Sequence, residues 1–490
     1  MASQAQEVAA EALRHVCNPD ELGFESTQEV EPAVGTVGQD RAQDAVTFGL
    51  EIGTQGYNLF VVGVPGTGRS TTVLSHVERL AKAMPTPSDW IYVHNFQDSY
   101  RPRAIKLPSG RGAQLRRDLD QLVDQCRREI PRAFESDSYQ QRRQQTMMQL
   151  DRRREQLYEV LSEKAKQRGL SVQFSPSGVA TVPLVEGRPM TPEEYAALAD
   201  EARDRIRDLG ESLQEHILAF MKAVRDAEQT TLQEIRKLDR DSALFAIGHL
   251  VEQVAATYED VPDVVTFLEQ IQEDMVEHLE AFRPQAEAAG QAQVQAMLVG
   301  PPRPPQDPTV RYRINLLVSH ESNGGAPVEI EHNPTYYNLA GRIDYQAQFG
   351  TMSTDFRMIK PGALHRANGG FLILEAKDVL INPFSWEALK RAIDTRETTI
   401  ENIGEAMSLV PTVTLRPEPI PIDVKVILVG NPLIYNILFH QDEDFRKLFK
   451  VKADFDVEME RTPETMRVYA GFVRCRVEQD RLLHFHKSGV

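Results

Sequence analysis

Gly63-Val64-Pro65-Gly66-Thr67-Gly68-Arg69-Ser70-Thr71 carries the clearest chemical spacing in the chain. Its glycines let successive backbone N–H groups turn toward one point, and a helix starting beside Gly68 adds its positive end, an arrangement suited to a triphosphate. The pattern is that of a P-loop, Gly-x-x-x-x-Gly-Lys-Ser/Thr, but Arg69 stands where the lysine belongs. Arginine keeps the charge and replaces a compact ammonium with a planar fork, so the grip on the outer phosphates is altered. Gly63, Gly66, Gly68, Arg69, Ser70 and Thr71 are the candidate contacts for ATP, with the Ser70 hydroxyl directed to Mg2+.

Such a loop also needs an acid at a strand end to hold the metal and a second group to align the attacking water. Phe371-Leu372-Ile373-Leu374-Glu375-Ala376 offers one acid for the two roles. In the natural register Glu375 takes the metal position, beside Ser70, and Ala376 the water-aligning one; a shift by one keeps a glutamate but puts Leu374 at the metal. A water-aligning or base group contributes on the order of a hundred- to ten-thousand-fold, so turnover of ATP is expected to be weak or absent.

The elements that must position these groups are legible around them. Leu59 to Val62 is a short apolar run, hence a buried strand, and Val73, Val77 and Leu80 give the following helix one apolar side. Gly370–Glu375 and Val424–Asn431 are apolar runs ending in polar residues, as parallel strands should. Trp90–Val93 and Tyr312–Val318 are further strand candidates. Between these halves lies a different texture. Leu115, Leu119, Leu122, Cys126 and Ile130, then Met147, Leu150, Leu157 and Leu161, then Leu209, Leu213, Ile217, Phe220 and Val224, and finally Val264, Phe267, Ile271, Met275, Leu279 and Phe282 form narrow apolar stripes at helical spacing. Leu170 to Met190, turning at Ser175-Pro176-Ser177-Gly178, predicts a small hairpin among them. Gln285 to Pro308 is Ala/Gln-rich and then Pro-rich, a linker.

The expected fold class is α/β: a P-loop domain with a parallel sheet, split by a long α-helical, coiled-coil-like insertion that carries a small β-hairpin. Residues 1–104 would hold the N-terminal segment and the first half of the P-loop domain, 105–309 the insertion and linker, 310–460 the second half, and 461–490 the start of a terminal helical piece. The 490 residues suffice for about three domains. With 55 basic against 72 acidic side chains, a formal net charge of -17, broad binding to a phosphate backbone is disfavoured and no nucleic-acid partner is expected. No apolar run is long enough to span a bilayer, and Met1 to Ala12 has neither a basic start nor an apolar core, so a cytoplasmic protein without membrane contact is expected. Cys17, Cys126 and Cys475 are far apart and predict neither a zinc site nor a disulfide framework.

Several longer segments resemble the bacterial Lon-like AAA+ proteases of the LonB/LonC type: Tyr92-Val93-His94-Asn95-Phe96 with Arg101-Pro102-Arg103-Ala104, Asn333 to Ile343, Lys360 to Gly370, Trp386 to Ala392 and Phe449 to Asp456. The resemblance spans Leu22 to Arg474. It implies a hexameric ring that handles unfolded or damaged protein substrates, with a Ser/Lys protease domain further along. By the same resemblance Gly38-Gln39 flanks the adenine, Asn431 is the polar sensor of the outer phosphate, Arg446 is the arginine offered to a neighbouring subunit, and 461–490 begins the helical lid. Glu375, Asn431 and Arg446 are thus the candidate catalytic set. No segment here resembles the serine-containing motif of the family, so the protease portion is expected outside this chain, and Arg69 and Ala376 point to members whose ATPase module is degenerate.

The reading that follows is the AAA+ module of a Lon-like, ATP-dependent-type serine protease (endopeptidase La-like), binding substrate and forming the ring that feeds the proteolytic chamber. The alternatives are a non-catalytic oligomeric scaffold or substrate-binding protein and, ranked last, a coiled-coil chromosome-maintenance type ATPase. The last wants a Ser-Gly-Gly signature before the acidic strand and a basic face; His365-Arg366-Ala367-Asn368-Gly369-Gly370 and an acidic balance stand there instead.

Overall fold

The structure, a computed structural model, describes residues 8–13, 18–33, 37–175, 178–185, 187–282, 307–320, 324–348, 351–403 and 414–490. The chain forms two compact units, one of Met1–Arg117 with Arg313–Val490 and the other of Asp118–Tyr312.

The first unit is built on a five-stranded parallel sheet in the order Val451–Asp454, Leu59–Val62, Lys425–Gly430, Phe371–Glu375, Val328–Glu331. All four residues of Leu59–Val62 are buried, as a strand covered on both faces requires. Alternation assigns them to two layers. Leu59 and Val61 pack with Val46 and Leu50 of helix Asp40–Glu51 and with Val73 and Val77 of helix Arg69–Ala83. Phe60 and Val62 join Leu389, Leu438 and Phe445 on the other face. Register brings Val62 opposite both Gly430 and Asp454, and Glu375 opposite Val429, so the P-loop, Glu375 and Asn431 emerge at one edge of the sheet.

Two features differ from the simplest expectation. The strand that ends in Glu375 is not the immediate neighbour of the P-loop strand, because Lys425–Gly430 lies between them. Asp89–Val93 is a strand, but it belongs to a separate antiparallel sheet, between Arg103–Leu107 and Ile314–Val318. Asp89, fully buried, accepts from the Gly112 and His320 N–H groups at 2.9 and 2.8 Å and anchors that sheet to the next helix.

The second unit is helical. It takes most of helix Arg111–Glu135, then Asp137–Lys166, a 58-residue helix Asp200–Thr257, and Pro262–Glu277. At 1.5 Å per residue the longest of these extends about 87 Å. Leu170–Ser175, Gly178–Val185 and Arg188–Pro189 form the expected hairpin, extended to three strands; its turn residues Pro176 and Ser177 lie outside the described residues, as does most of the 285–308 linker. Leu170 and Val172 of the hairpin pack with Leu161, Ala165 and Leu213, so the strands close a small apolar core between two helices. Three phenol–carboxylate bonds tie distant helical positions together: Tyr139 to Asp239 at 2.5 Å, Tyr258 to Asp118 at 2.7 Å and Tyr312 to Asp274 at 2.8 Å.

Candidate functional site

Gly68 adopts φ 80° immediately before helix Arg69–Ala83, a conformation that favours glycine and that lets the loop turn straight into the helix. Thr67 closes the turn by donating its hydroxyl to the Val64 carbonyl at 2.9 Å. Ser70 and Thr71 lie exposed on the first turn of the helix.

Arg69 does not point outward from this cradle. Its Nη1 donates to the Gly63 carbonyl and, at 2.8 Å, to the Gly430 carbonyl, while Nη2 lies 3.9 Å from the Glu375 carboxylate. The side chain is 14% exposed against 45% for Glu375. One guanidinium therefore joins the ends of three strands: the P-loop strand, the strand next to it and the acidic strand. The planar fork makes this possible, since a single terminal nitrogen meets two carbonyls while the other faces the carboxylate. Burial raises the Glu375 carboxyl above the usual carboxylate range; Arg69 opposes this and Asp378 adds to it.

Ala376 begins helix Ala376–Ile381 and is fully buried in the layer of Phe60, Leu374, Leu438 and Phe445. The backbone of Gly430 passes close to it; a Cβ on Gly430 would sit 2.7 Å from the Phe60 ring and 3.2 Å from the Ala376 methyl. Of the two positions, Glu375 faces Arg69 and Ala376 faces the core.

Asn431 stands at the end of its strand as the cap of helix Pro432–Gln441, its side-chain oxygen accepting from the Ile434 N–H at 2.8 Å. Arg446 is exposed on the short helix Glu443–Leu448, its guanidinium 5.6 Å from the centre of the Phe439 ring. Arg69 and Glu375 thus meet directly, while Asn431 caps its own helix and Arg446 lies against Phe439. Gln39 is nearly buried, and its amide both donates to the Asp456 carbonyl and accepts from the Asp456 N–H, each at 2.9 Å. Beside it Met459 lies against Gly38.

Sequence reasoning missed the carbonyls of Gly63 and Gly430 as partners of Arg69. Backbone acceptors leave no residue signature; the one available signal was the longer reach of arginine at a lysine position. The motif residues between Lys360 and Gly370 serve packing. Gly362 leaves only 2.2 Å between a Cβ and the Leu339 carbonyl, Asn368 pairs with Pro421 and Asp423, and Arg366 bridges Glu329 and Glu331.

Comparison with known proteins agrees with this architecture. Residues 324–456 match the family model described as LonB-like, AAA domain, and residues 89–122 match the one described as Lon-like LonC helical domain. No curated protein matches the chain. Among solved structures, NtrX from Brucella abortus is similar over 42% of this chain and 44% of its own, at 15% identity and a TM-score of 0.18, which carries no argument. Among the described residues no helix is long and apolar enough to cross a membrane. Two family models of one kind thus match two segments of this chain, 324–456 in the first unit and 89–122 running from its antiparallel sheet into the first long helix, and both support a likeness to Lon-like AAA+ proteins.

Proposed function

We propose that this chain is the substrate-gathering, ring-forming AAA+ part of a Lon-like protease, with a nucleotide site that turns over ATP weakly or not at all. The observation that carries the second half is the placement of Arg69. AAA+ domains generally bind ATP with Mg2+, and here the cation that would meet the outer phosphates is already spent on Gly63, Gly430 and Glu375. Glu375, the one acid at the strand end, faces that cation, and the following position is a buried alanine. These residues do not fit a tightly held Mg-nucleotide. Unfolded or damaged polypeptides are the substrates this reading assigns to the helical insertion, whose hairpin is more than a spacer requires.

Phosphate release from ATP by the purified protein is expected near background. Robust release that disappears on Arg69→Ala would overturn the weak-turnover reading. Binding of fluorescently labelled casein, unfolded in solution, should fall on deletion of residues 171–189; unchanged affinity would leave the insertion a spacer and favour the scaffold alternative.

A further inference from the structure

The N-terminal residues 18–33 make a series of contacts with the other end of the chain. We infer that residues 18–33 act as a strap that fixes the position of the lid helix Pro463–Gln479, so that the lid is held by the chain itself rather than by a ligand.

Three zones carry this. At the middle of the helix, Gly471 lets the strap backbone approach so closely that a Cβ there would lie 2.6 Å from the Glu31 carbonyl and 3.0 Å from the Ala33 nitrogen. One turn on, Arg474 donates to the carbonyls of Gln28, at 3.1 Å, and Val30, and the Cys475 thiol reaches the Ala33 carbonyl at 3.5 Å. Beyond the helix, the tail returns along the strap. Thr27, fully buried, donates its N–H to the Phe485 carbonyl at 2.9 Å and accepts from the Phe485 N–H on its hydroxyl at 3.0 Å. The Lys487 N–H donates to the Glu25 carbonyl at 2.9 Å, Ser26 and His486 form an antiparallel bridge, and the Lys487 ammonium sits 2.7 Å from Glu25 and 2.9 Å from Asp20.

The hinge before the helix is tied in the same sense. The Gln39 side-chain amide holds the Asp456 backbone by two hydrogen bonds, and Met459 packs on Gly38. A helix fastened at its middle and its tail by residues 18–33, and at its hinge by Gly38 and Gln39 just downstream of them, has little freedom left for a ligand to direct. The buried Thr27 finds both its backbone and its hydroxyl partner on the tail, so releasing the strap exchanges these bonds for water and gives up the packing around them. The contacts also make the strap a handle: anything that pulls on residues ahead of Asn18 acts on the lid.

Hydrogen exchange of the full 490-residue chain tests this. Thr27→Val combined with Lys487→Ala is expected to speed exchange of the Pro463–Gln479 amides at least tenfold and leave those of Lys425–Gly430 unchanged. Equal acceleration in both segments, or none in the helix, would overturn the inference. A second variant pair guards against a misfolded result. Ser26→Cys with His486→Cys is expected to form a disulfide under mild oxidation and to slow exchange in the helix; failure to cross-link would count against the strap. Saturating Mg-ATP on the unmodified chain should leave exchange in the helix unchanged, and slowing by nucleotide as strong as that by the disulfide would show that a ligand, not the strap, sets the lid. The inference stands whether or not the site hydrolyses ATP, so failure of phosphate release and failure of the strap are read separately.

Discussion

His365 shows how a single motif residue ties stability to pH. It is 1% exposed and accepts from the Gly362 N–H on Nδ1 at 3.3 Å, which keeps its proton on Nε2 and the ring neutral. Burial, with Arg366 adding a like charge, pushes its pKa down to about 3 from 6.5. Between those values the unfolded chain binds the proton and the folded one does not. The contribution of His365 is therefore intact above pH 6.5 and is lost as pH falls toward 3, with a slope of about 1.4 kcal/mol per pH unit for one proton. Urea midpoints at pH 7, 6 and 5 should fall less steeply for His365→Gln than for the unmodified chain; parallel curves would contradict this. Ala376 gives a second test. Glutamate there would place a carboxylate among Phe60, Leu374 and Leu438, and an uncompensated buried charge costs ~3–5 kcal/mol. Ala376→Glu is expected to lower Tm sharply in a thermal melt without raising phosphate release. The sequence alone made residue 376 look like a missing catalytic acid. Its burial depends on how the following helix turns under Gly430, which no local pattern encodes.

At the scale of elements, strong apolar periodicity translated directly into structure. Val264, Phe267, Ile271 and Met275, one stripe in the sequence, are all buried in helix Pro262–Glu277. Leu209 belongs to an equally regular stripe but is 41% exposed, although Leu213 one turn on is fully buried; periodicity gives the face and not how far along it the partner reaches. Sheet partners were less legible than strands. Asp89–Val93 has the composition of any buried strand, and only long-range pairing with Ile314–Val318 puts it in the antiparallel sheet. Leu213 is the element-level test. It is fully buried where helix, helix and hairpin meet, so Leu213→Ala removes both transfer free energy and packing and should cost ~2–5 kcal/mol. Circular dichroism during urea unfolding reads this; a loss under about 0.5 kcal/mol, the ordinary range for a surface substitution, would mean that the small core does not hold the hairpin.

For the whole molecule the question is what an AAA+ unit does when the cation at the P-loop lysine position is engaged internally. In the proposed ring, contacts between copies must then form without the free energy of nucleotide binding, since a ligand stabilises only the state that binds it. Arg69 already joins Gly63, Gly430 and Glu375, so the sheet edge that carries the P-loop is cross-linked in the absence of ligand. Arg446, exposed with its guanidinium over the Phe439 ring, is the side chain that tests assembly in the proposed ring. The expected outcome is an assembly whose mass by light scattering is the same with and without Mg-ATP. Arg446→Glu should shift that mass toward single chains, because a reversed charge at an interface is repelled where the arginine was attracted, while Tm of the isolated chain moves by no more than about 0.5 kcal/mol equivalent. An assembly that forms only when ATP is added would show that Arg69 yields to phosphate after all. One that is indifferent to Arg446→Glu would place the contact between copies elsewhere on the surface.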